Sequence, residues 1–276
     1  MPGTLYLVPT PIGNLGDISR RTAETFQQVD FIAAEDTRVT LKLLNHLGLK
    51  KPLVSYYRHN TDEAGRQVLE RLLNGESCAL CTDAGTPAIS DPGEDLVALC
   101  AQHDVPVVPL PGPCALTTAL CASGLPTARF VFEGFLPMNK KNRRSRLEAL
   151  AGEERTMLFY EAPHKLSATL SDLLAAFGPD RRIALCRELT KLHEEIARTT
   201  RAQAAERYKA EAPRGEFVLV VEGAPAQEEG EYTLDDGLDR VEALLKEGLS
   251  RKDAVKQAAR ELGLSRNELY SAALGQ

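Results

Sequence analysis

The sequence lacks the features that mark a membrane protein, a secreted protein or a protein coated with positive charge. No apolar run approaches the ~20 residues that span a bilayer, and residues 1–4 have no basic segment followed by an apolar core. Lys and Arg number 33 against 39 Asp and Glu, a net charge of −6, so we expect any contact with nucleic acid to be a local patch. The sequence therefore predicts a cytoplasmic protein, and 276 residues allow two modest domains.

Common metal and nucleotide motifs are missing as well. Six cysteines without a secretory signal are expected to be reduced thiols. Cys78 and Cys81 have C-x-x-C spacing, but residues three apart in a strand point to opposite faces, and no second pair completes a zinc site. The loop after the first predicted strand lacks G-x-G-x-x-G, and no G-x-x-x-x-G-K-[ST] occurs. These absences weigh against nucleotide hydrolysis and hydride transfer.

The first two-thirds of the chain alternate short apolar runs with helix-like segments. Such alternation predicts an α/β fold with a mainly parallel sheet that is covered by helices. The predicted strands of this first set span residues 5–8, 31–34, 53–57, 79–81 and 105–110. Four predicted helices span about residues 17–28, 39–46, 91–103 and 113–123. A further helix is predicted to follow the N-cap Asn60, with Glu63 closing a capping box.

A second alternating set predicts another α/β domain. Its strands are expected at residues 130–134, 157–161, 183–189 and 217–221, with a helix at about 164–177. A helix gives way to S-G-L-P near residues 122–128, so we predict domains at 1–122 and 123–224. Two such domains in series leave a cleft between them, which is a preferred place for ligands.

The tail is predicted to be a separate helical module. Residues 225–232 are polar and aperiodic and are predicted to form a linker, and three helical patterns follow at 234–246, 251–262 and 266–273 within a module of residues 233–276. With Ser250 and Ser265 as caps and Gly263 as a stop, the last two resemble a helix-turn-helix. From residue 248 onward the sequence contains five Lys or Arg and three Asp or Glu. The module is therefore interpreted as nucleic-acid binding or, alternatively, as a three-helix cap on the larger domain.

The most informative stretch is T-D-A-G-T-P-A-I-S-D-P-G at residues 82–93. It follows the predicted strand 79–81 and precedes a helix that is expected to begin with Asp91 as N-cap, Pro92 at the first helical position and Glu94. A strand, a loop of small residues and a helix N-terminus form the layout that α/β proteins use to hold a ligand beyond their strand ends. A tight connection is the alternative, but the glycines, prolines and aspartates favour a ligand site.

Several motifs in order resemble one family. P-T-P-I-G-N-L-x-D-I at residues 9–18, A-E-D-T-R at 34–38 and the 82–93 stretch resemble the S-adenosylmethionine-dependent tetrapyrrole methylase superfamily, in particular its branch of small-subunit ribosomal RNA methyltransferases that act on a cytidine ribose 2′-oxygen. Six further runs agree: P-G-P-C-A-L (111–116), S-G-L-P (123–126), F-E-G-F-L-P (132–137), Y-E-A-P-H-K (160–165), R-E-L-T-K (187–191) and G-E-F-V-L-V (215–220). The resemblance covers nearly the whole chain and departs at Cys114, where the family often has another small residue.

This resemblance implies two α/β domains with S-adenosylmethionine in the cleft between them, and a homodimer. Leu189 and Phe217 could equally be core residues. By motif match, the implied cofactor-binding residues are Pro11, Thr82, Asp83, Ala84, Ala88, Cys114, Ala115, Tyr160, Leu189, Glu216 and Phe217. No metal is implied.

Methyl transfer to a ribose hydroxyl could use a general base, which typically contributes about 10²–10⁴-fold. Glu35 and Asp36, which follow the second predicted strand, are the candidate bases, and Arg38 could hold a phosphate or a carboxylate. Glu161 and Glu188, at the ends of later strands, are alternatives. Glu35, Asp36 and Arg38 could instead anchor their loop through ion pairs.

Two local basic segments are predicted to contact RNA. Five of the seven residues 140–146 are cationic, and such a cluster in a net-acidic chain could follow phosphates, although a solvated helix face is the usual explanation for a charge run. The tail contributes further cations. The predicted RNA-binding residues are Lys140, Lys141, Arg143, Arg144, Arg146, Arg251, Lys252 and Arg266.

The sequence favours a methyltransferase acting on small-subunit ribosomal RNA, naked or in the assembled subunit. A tetrapyrrole C-methyltransferase of the same superfamily is one alternative, but it would need basic residues in the cleft and has no use for a helix-turn-helix tail. A non-catalytic ribosome-binding adaptor that keeps the fold is another.

Overall fold

The computed structural model describes residues 1–209, 213–225 and 232–274. The chain forms two compact units, Met1–Gly223 and Ala224–Gln276. None of the helices in these described ranges is long and apolar enough to cross a membrane. Most of the predicted linker 225–232 lies outside the described residues.

The first sheet of the larger unit is entirely parallel, which confirms the sequence prediction. Its central strands are buried on both faces because helices cover the sheet, and this explains why they are short apolar runs rather than alternating ones. The strand order is β3-β2-β4-β1-β5. The strands are β1 Leu5–Leu7, β2 Phe31–Ala34, β3 Leu53–Ser55, β4 Cys78–Cys81 and β5 Val107–Pro109. The helices of this half are α1 Arg20–Gln28, α2 Thr37–His46, α3 Thr61–Leu73, α4 Glu94–Gln102 and α5 Ala115–Ser123.

The second sheet is mixed and mainly antiparallel, with the order β6-β7-β10-β8-β9. Its strand β10, buried at all five positions, runs antiparallel to both of its neighbours. The strands are β6 Phe130–Phe135, β7 Thr156–Glu161, β8 Arg182–Arg187, β9 Glu195–Thr200 and β10 Phe217–Val221. The helices of this half are α6 Lys140–Ala149, α7 Leu166–Phe177 and α8 Arg201–Arg207. The sequence did not predict β9 or α8, because β9 is a partly exposed edge strand without a continuous apolar run.

One predicted helix start is wrong, and at a second the start is correct but the predicted capping box is not formed. The helix expected at Asp91 begins at Glu94 instead, after Gly93 with a φ of 141°, and it has no side-chain cap. Asn60 does precede α3, but it makes no capping hydrogen bond and no capping box forms. Its amide oxygen accepts from the Tyr57 N–H and its amide nitrogen donates to the Ser55 carbonyl, so the side chain braces the preceding turn.

The smaller unit contains the three predicted helices, α9 Leu234–Lys246, α10 Arg251–Glu261 and α11 Arg266–Leu274. Ser250 caps α10 by accepting from the Asp253 N–H at 3.2 Å, and Gly263 takes a φ of 64° where the chain turns. Val241, Leu244, Val255 and Leu269 form the centre of a small core.

Candidate active site

A cavity of about 530 Å³ lies within the larger unit, lined by residues that follow strands of both sheets. One wall comes from the first half and includes the loops after β2 and β4. The opposite wall comes from β7, the loop after β8 and the start of β10. Apolar side chains from both halves form part of the lining: Ile12, Ile89, Phe135, Tyr160, Leu189, Phe217 and Val218.

Backbone hydrogen bonds shape the first wall. Thr10 and Gly85 form an isolated bridge, in which each N–H donates to the other residue's carbonyl at 2.9 Å. The Thr10 hydroxyl also donates to the Thr82 carbonyl at 2.9 Å. Ala88 and Ser90 adopt left-handed φ values of 65° and 64°, which are strained for residues with a side chain. The 82–93 stretch is therefore a braced, strained loop at the cavity rather than a simple connection.

Three carboxylates face the cavity from this wall: Glu35, Asp83 and Asp91. The Asp36 N–H donates to Asp83 at 3.1 Å and the Asp83 N–H donates to Glu35 at 3.4 Å, so the loops after β2 and β4 hold each other's carboxylates. Burial is the main cause that raises the pKa of all three groups, that of Asp91 to about 6. The nearby Arg58 partly opposes this for Glu35 and Asp91.

The opposite wall carries carboxylates that are already paired. Lys191 Nζ lies 2.9 Å from Glu188 and 3.1 Å from Glu216, and the hydrogen bond from Lys191 is the largest cause that lowers the pKa of Glu188. Glu161 is buried and accepts from the Ala162 N–H at 2.8 Å and from the Thr169 hydroxyl. Glu161 and Glu188, the alternative bases, are thus engaged in holding this wall together.

Tyr160 lies between Phe132 and Phe135, with ring centroids 5.0 and 5.6 Å away and edge-on geometry. Burial raises the pKa of Tyr160 above its usual range, so its hydroxyl stays protonated. Tyr160 and Phe135 are the members of this aromatic cluster that line the cavity.

The structure brings most of the predicted cofactor residues to this cavity. Pro11 and Thr82 instead line an adjacent smaller cavity, and Asp83 lines both. Ala88 belongs to the loop but does not line either one. The predicted residues that line the larger cavity are Asp83, Ala84, Cys114, Ala115, Tyr160, Leu189, Glu216 and Phe217.

The three predicted catalytic residues are placed differently from one another. Glu35 lines the cavity, whereas Asp36 caps α2 and binds Arg38, with 2.6 Å between Arg38 Nη2 and Asp36 Oδ2. The Arg38 hydrogen bonds lower the pKa of Asp36 to about 2. Glu35 is therefore the better placed and the more basic of the two carboxylates.

Some residues at the cavity were not singled out by the sequence analysis: Asp91, Phe135 and Lys191. Asp91 was misread as a helix cap. Phe135 and Lys191 lie inside the F-E-G-F-L-P and R-E-L-T-K runs, so the position of these motifs at strand ends was the signal that could have identified them.

The basic segment 140–146 forms most of α6, and its arginines are paired. Arg143 Nη2 lies 2.7 Å and Arg144 Nε 3.1 Å from the buried Asp172, and Arg146 donates to Glu133 through two bonds of 2.8 Å. Among the described residues, no carboxylate lies within ion-pair distance of Lys140 or Lys141. The arginines of this segment thus anchor the helix, whereas the lysines at its N-terminal end do not. In the smaller unit, the predicted Arg251, Lys252 and Arg266 lie on exposed positions at the starts of α10 and α11.

The cavity lining defines which ligands it can accept. Six carboxylates and one lysine are present: Glu35, Asp83, Asp91, Glu161, Glu188, Glu216 and Lys191. Within the described parts of the chain, no group of three or more His, Cys, Asp or Glu side chains is arranged to hold a metal ion. A negative, partly apolar cavity favours a cationic organic ligand and repels polyanions.

Comparison with known proteins places the chain. Residues 4–205 match the family model for tetrapyrrole (corrin/porphyrin) methylases, and residues 233–276 match that for the RsmI C-terminal HTH domain. A protein of Synechocystis sp. named ribosomal RNA small subunit methyltransferase I is 47% identical over 272 residues, which cover 99% of this chain and 98% of the relative. A relative of the same name from Escherichia coli O157:H7 is 47% identical and covers 99% of this chain and 96% of its own.

Solved structures support the same fold at low sequence identity. Uroporphyrin-III C-methyltransferase from Thermus thermophilus, described in complex with S-adenosyl homocysteine, has 19% identity and a TM-score of 0.56, covering 79% of this chain and 97% of its own. Cobalt precorrin-4 methyltransferase has 18% identity and a TM-score of 0.59, covering 79% and 94%. The chain therefore belongs to the tetrapyrrole methylase family and, within it, to the ribosomal RNA small subunit methyltransferase I family.

Proposed function

We propose that the protein uses S-adenosylmethionine to methylate the ribose 2′-oxygen of a cytidine in small-subunit ribosomal RNA. The observation that carries this proposal is the acidic, partly apolar cavity at the strand ends of two sheets, in a chain that matches relatives named ribosomal RNA small subunit methyltransferase I over nearly its whole length. The helical tail matches a domain of the same family.

The cavity residues fit the cofactor. S-adenosylmethionine has a flat adenine base, a ribose and a cationic sulfonium that carries the methionine chain. When bound, it supplies an activated methyl group. The volume of about 530 Å³ is within the usual range for small-molecule sites. Backbone groups of the strained 82–93 loop and the small residues Ala84, Cys114 and Ala115 can approach a planar ligand closely, and the surplus of carboxylates suits its positive charge.

Glu35 is proposed as the general base. It faces the cavity with a raised pKa, which brings a carboxylate closer to the basicity that proton abstraction near neutral pH requires. Arg38 is held by Asp36 outside the cavity lining and is 85% exposed, so it is placed to meet a phosphate of the RNA chain. Most of the rate gain would come from alignment, which can lower a barrier by ~7–11 kcal/mol at best.

RNA would be held by exposed cations rather than by a basic cavity. Lys140 and Lys141 at the start of α6, together with Arg251, Lys252 and Arg266 of the tail, are the proposed phosphate contacts. Such contacts position RNA without reading its sequence. The target nucleotide must leave its stack for its ribose to reach the cavity.

The proposal extends to the cellular compartment, the oligomeric state and the form of the RNA substrate. All six cysteines are free thiols, which suits the reducing cytoplasm. Exposed apolar side chains, among them Phe130, Met138 and Leu192, offer surface for a second copy of the chain, and sedimentation analysis tests the proposed homodimer. Methylation assays on naked RNA and on assembled small subunits decide which of them is the substrate.

The two alternatives have less support. A tetrapyrrole carries several carboxylates, which the six carboxylates of this cavity would repel. An adaptor without catalysis would not need a cavity of this volume. Calorimetry with S-adenosylmethionine separates the adaptor from the enzymes, because an adaptor is expected to show no binding.

The decisive experiment maps ribose methyl groups on small-subunit RNA from cells with and without the protein by mass spectrometry. We expect one cytidine to lose its 2′-O-methyl group in the deletion strain and to regain it with the wild-type gene. An unchanged map in the deletion strain would overturn the proposed function.

RNA contact is tested by replacing Lys140 and Lys141 with Glu. We expect weaker binding to small-subunit RNA and a shallower dependence of affinity on salt, because each lost phosphate contact reduces counterion release. Cofactor affinity should stay unchanged. The matched control is Glu148→Lys on the same helix. If affinity and salt slope both survive the double replacement, α6 is a solvated face.

A further inference from the structure

A second cavity of about 260 Å³ lies beside the proposed cofactor cavity. The loop after β1 forms one side of it and α2 forms the other. The two cavities share the lining residue Asp83, and the Thr10–Gly85 bridge separates them, with Thr10 lining the smaller one and Gly85 the larger. We call this smaller cavity the annex; it adjoins the first wall of the cofactor cavity at Asp83.

The lining of this annex differs in character from that of the larger cavity. Pro11, Leu15, Val39 and Leu43 provide apolar walls from both of its sides. Lys42 and His46, on exposed positions of α2, place nitrogen groups at its edge, and Asp83 is the carboxylate among its lining residues. Apolar walls with a few polar groups at the rim are the surroundings in which proteins hold an unstacked nucleobase.

We propose that the annex receives the base of the nucleotide whose ribose is methylated. This inference rests on the proposed function, because it assigns a place to the substrate of that reaction. Methyl transfer requires the donor and the acceptor oxygen to lie about 3–3.5 Å apart, so the ribose must sit where the two cavities meet. Asp83 and Glu35 lie at that junction, linked by the Asp83 N–H. A base attached to a ribose at this place has the annex directly beside it.

The proposal explains features that cofactor binding leaves unused. Leu15 and Val39 are partly exposed apolar side chains, 49% and 37% accessible, and a stacked base would cover them. Lys42 can donate to a carbonyl or ring-nitrogen acceptor of the base, and His46 can donate or accept. Arg38, one residue before Val39, would then lie next to the phosphate of the same nucleotide.

The test fills the annex and leaves the cofactor cavity intact. Val39→Trp places a large ring in the annex, and Leu41→Trp is the matched control, because Leu41 is an exposed apolar residue of the same helix that does not line it. For each variant we would measure kcat/KM on small ribosomal subunits from cells lacking the protein, and cofactor affinity by calorimetry.

We expect Val39→Trp to lower kcat/KM by about 10-fold or more, in the range of a lost pocket contact, with cofactor affinity within about twofold of wild type, and Leu41→Trp to stay near wild type. Equal kcat/KM for the two tryptophan variants, or a loss of cofactor affinity in Val39→Trp, would overturn the annex as a base site. Failure of the wild-type protein to methylate the subunits would instead overturn the proposed function, and the annex assignment with it.

Discussion

The two walls of the larger cavity carry similar numbers of carboxylates but differ in how these carboxylates are paired. On the first wall, the carboxylates of Glu35 and Asp83 accept backbone N–H groups, and burial raises the pKa values of Glu35, Asp83 and Asp91. On the second wall, Lys191 pairs with both Glu188 and Glu216, at 2.9 and 3.1 Å, and the pKa of Glu188 is lowered.

This difference assigns the walls different tasks. Keeping a carboxylate ionised in a partly buried site without a cationic partner costs free energy. A positively charged ligand offsets this cost when it binds. A paired carboxylate has little further to gain from such a ligand. We therefore propose that the first wall attracts the cationic cofactor and carries the general base, and that the second wall serves as a rigid frame. Lys191 also reaches the first half, where its side-chain stem lies so close to Gly13 that a Cβ at that position would collide with it.

The largest expected effect comes from Glu35→Gln on the first wall. We expect kcat to fall by about 100-fold if Glu35 removes the ribose proton, in line with the usual contribution of a general base, a larger change than the loss of one first-wall charge should cause in cofactor affinity. Because the pKa of Glu35 is raised, the wild-type kcat should rise with pH through that pKa, and this acid limb should disappear in the variant. Single-turnover kinetics over a pH series measure both.

Asp36→Asn is the matched control for that experiment, since Asp36 is the next residue but is bound to Arg38 and outside the cavity lining. We expect a much smaller fall in kcat. Equal losses in the two variants would mean that the loop as a whole, and not the Glu35 carboxylate, matters for the rate.

A smaller effect is expected for Asp83→Ala. The variant removes an unpaired carboxylate of the first wall and the acceptor of the Asp36 N–H at 3.1 Å, so we expect cofactor affinity to fall by about 10-fold, roughly 1.4 kcal/mol. Glu216→Gln on the second wall should weaken the cofactor less, because Lys191 already offsets its charge. Calorimetry on both variants tests the contrast, which fails if Glu216→Gln has the larger effect.

The sequence was sufficient for the elements that depend on burial. Phe31–Ala34 and Phe217–Val221 were predicted with the bounds that the structure shows, because strands covered on both faces are continuous apolar runs. The family and its fold followed from motifs at the strand ends. For the missed helix α8 a local signal did exist, because Thr200 and Gln203 form the capping box at its start, whereas the partly exposed edge strand β9 had none.

The sequence could not show how the first wall is charged. Asp91 fits a helix cap by pattern, yet it faces the cavity because Ala88 and Ser90 take left-handed conformations that residues with side chains rarely adopt. The roles of Glu35 and Asp36 also looked alike in A-E-D-T-R. Two kinds of contact separate them: the local ion pair of Asp36 with Arg38, and the hydrogen bond from the Asp83 N–H to the Glu35 carboxylate, which joins segments 48 residues apart.

The affinity for the cofactor should also depend on pH through Asp91. The pKa of Asp91 is about 6, so the group is ionised above that pH and neutral below it. Lowering the pH from about 8 to about 5 removes its negative charge from the first wall, and we expect affinity for the cationic cofactor to fall by roughly fivefold, the effect of one charge at several ångströms in a partly screened site. Asp91→Asn should bind weakly at both pH values and lose most of this dependence. A wild-type affinity that does not change with pH would contradict it.

The smallest expected effect is on stability. Burial raises the pKa of Asp91 in the folded state above its usual value of 3.8, so the ionised form is less favourable in the folded protein than in the unfolded chain. This cost is fully present above about pH 6 and is lost as the pH falls toward 3.8. Asp91→Asn should therefore stabilise the protein at about pH 8 by roughly 1 kcal/mol, allowing for solvent screening, which corresponds to about 2–4 °C in Tm. The gain should vanish near pH 4, and the isosteric Glu216→Gln should give none, because the Glu216 side chain is 80% exposed and bears no comparable burial cost.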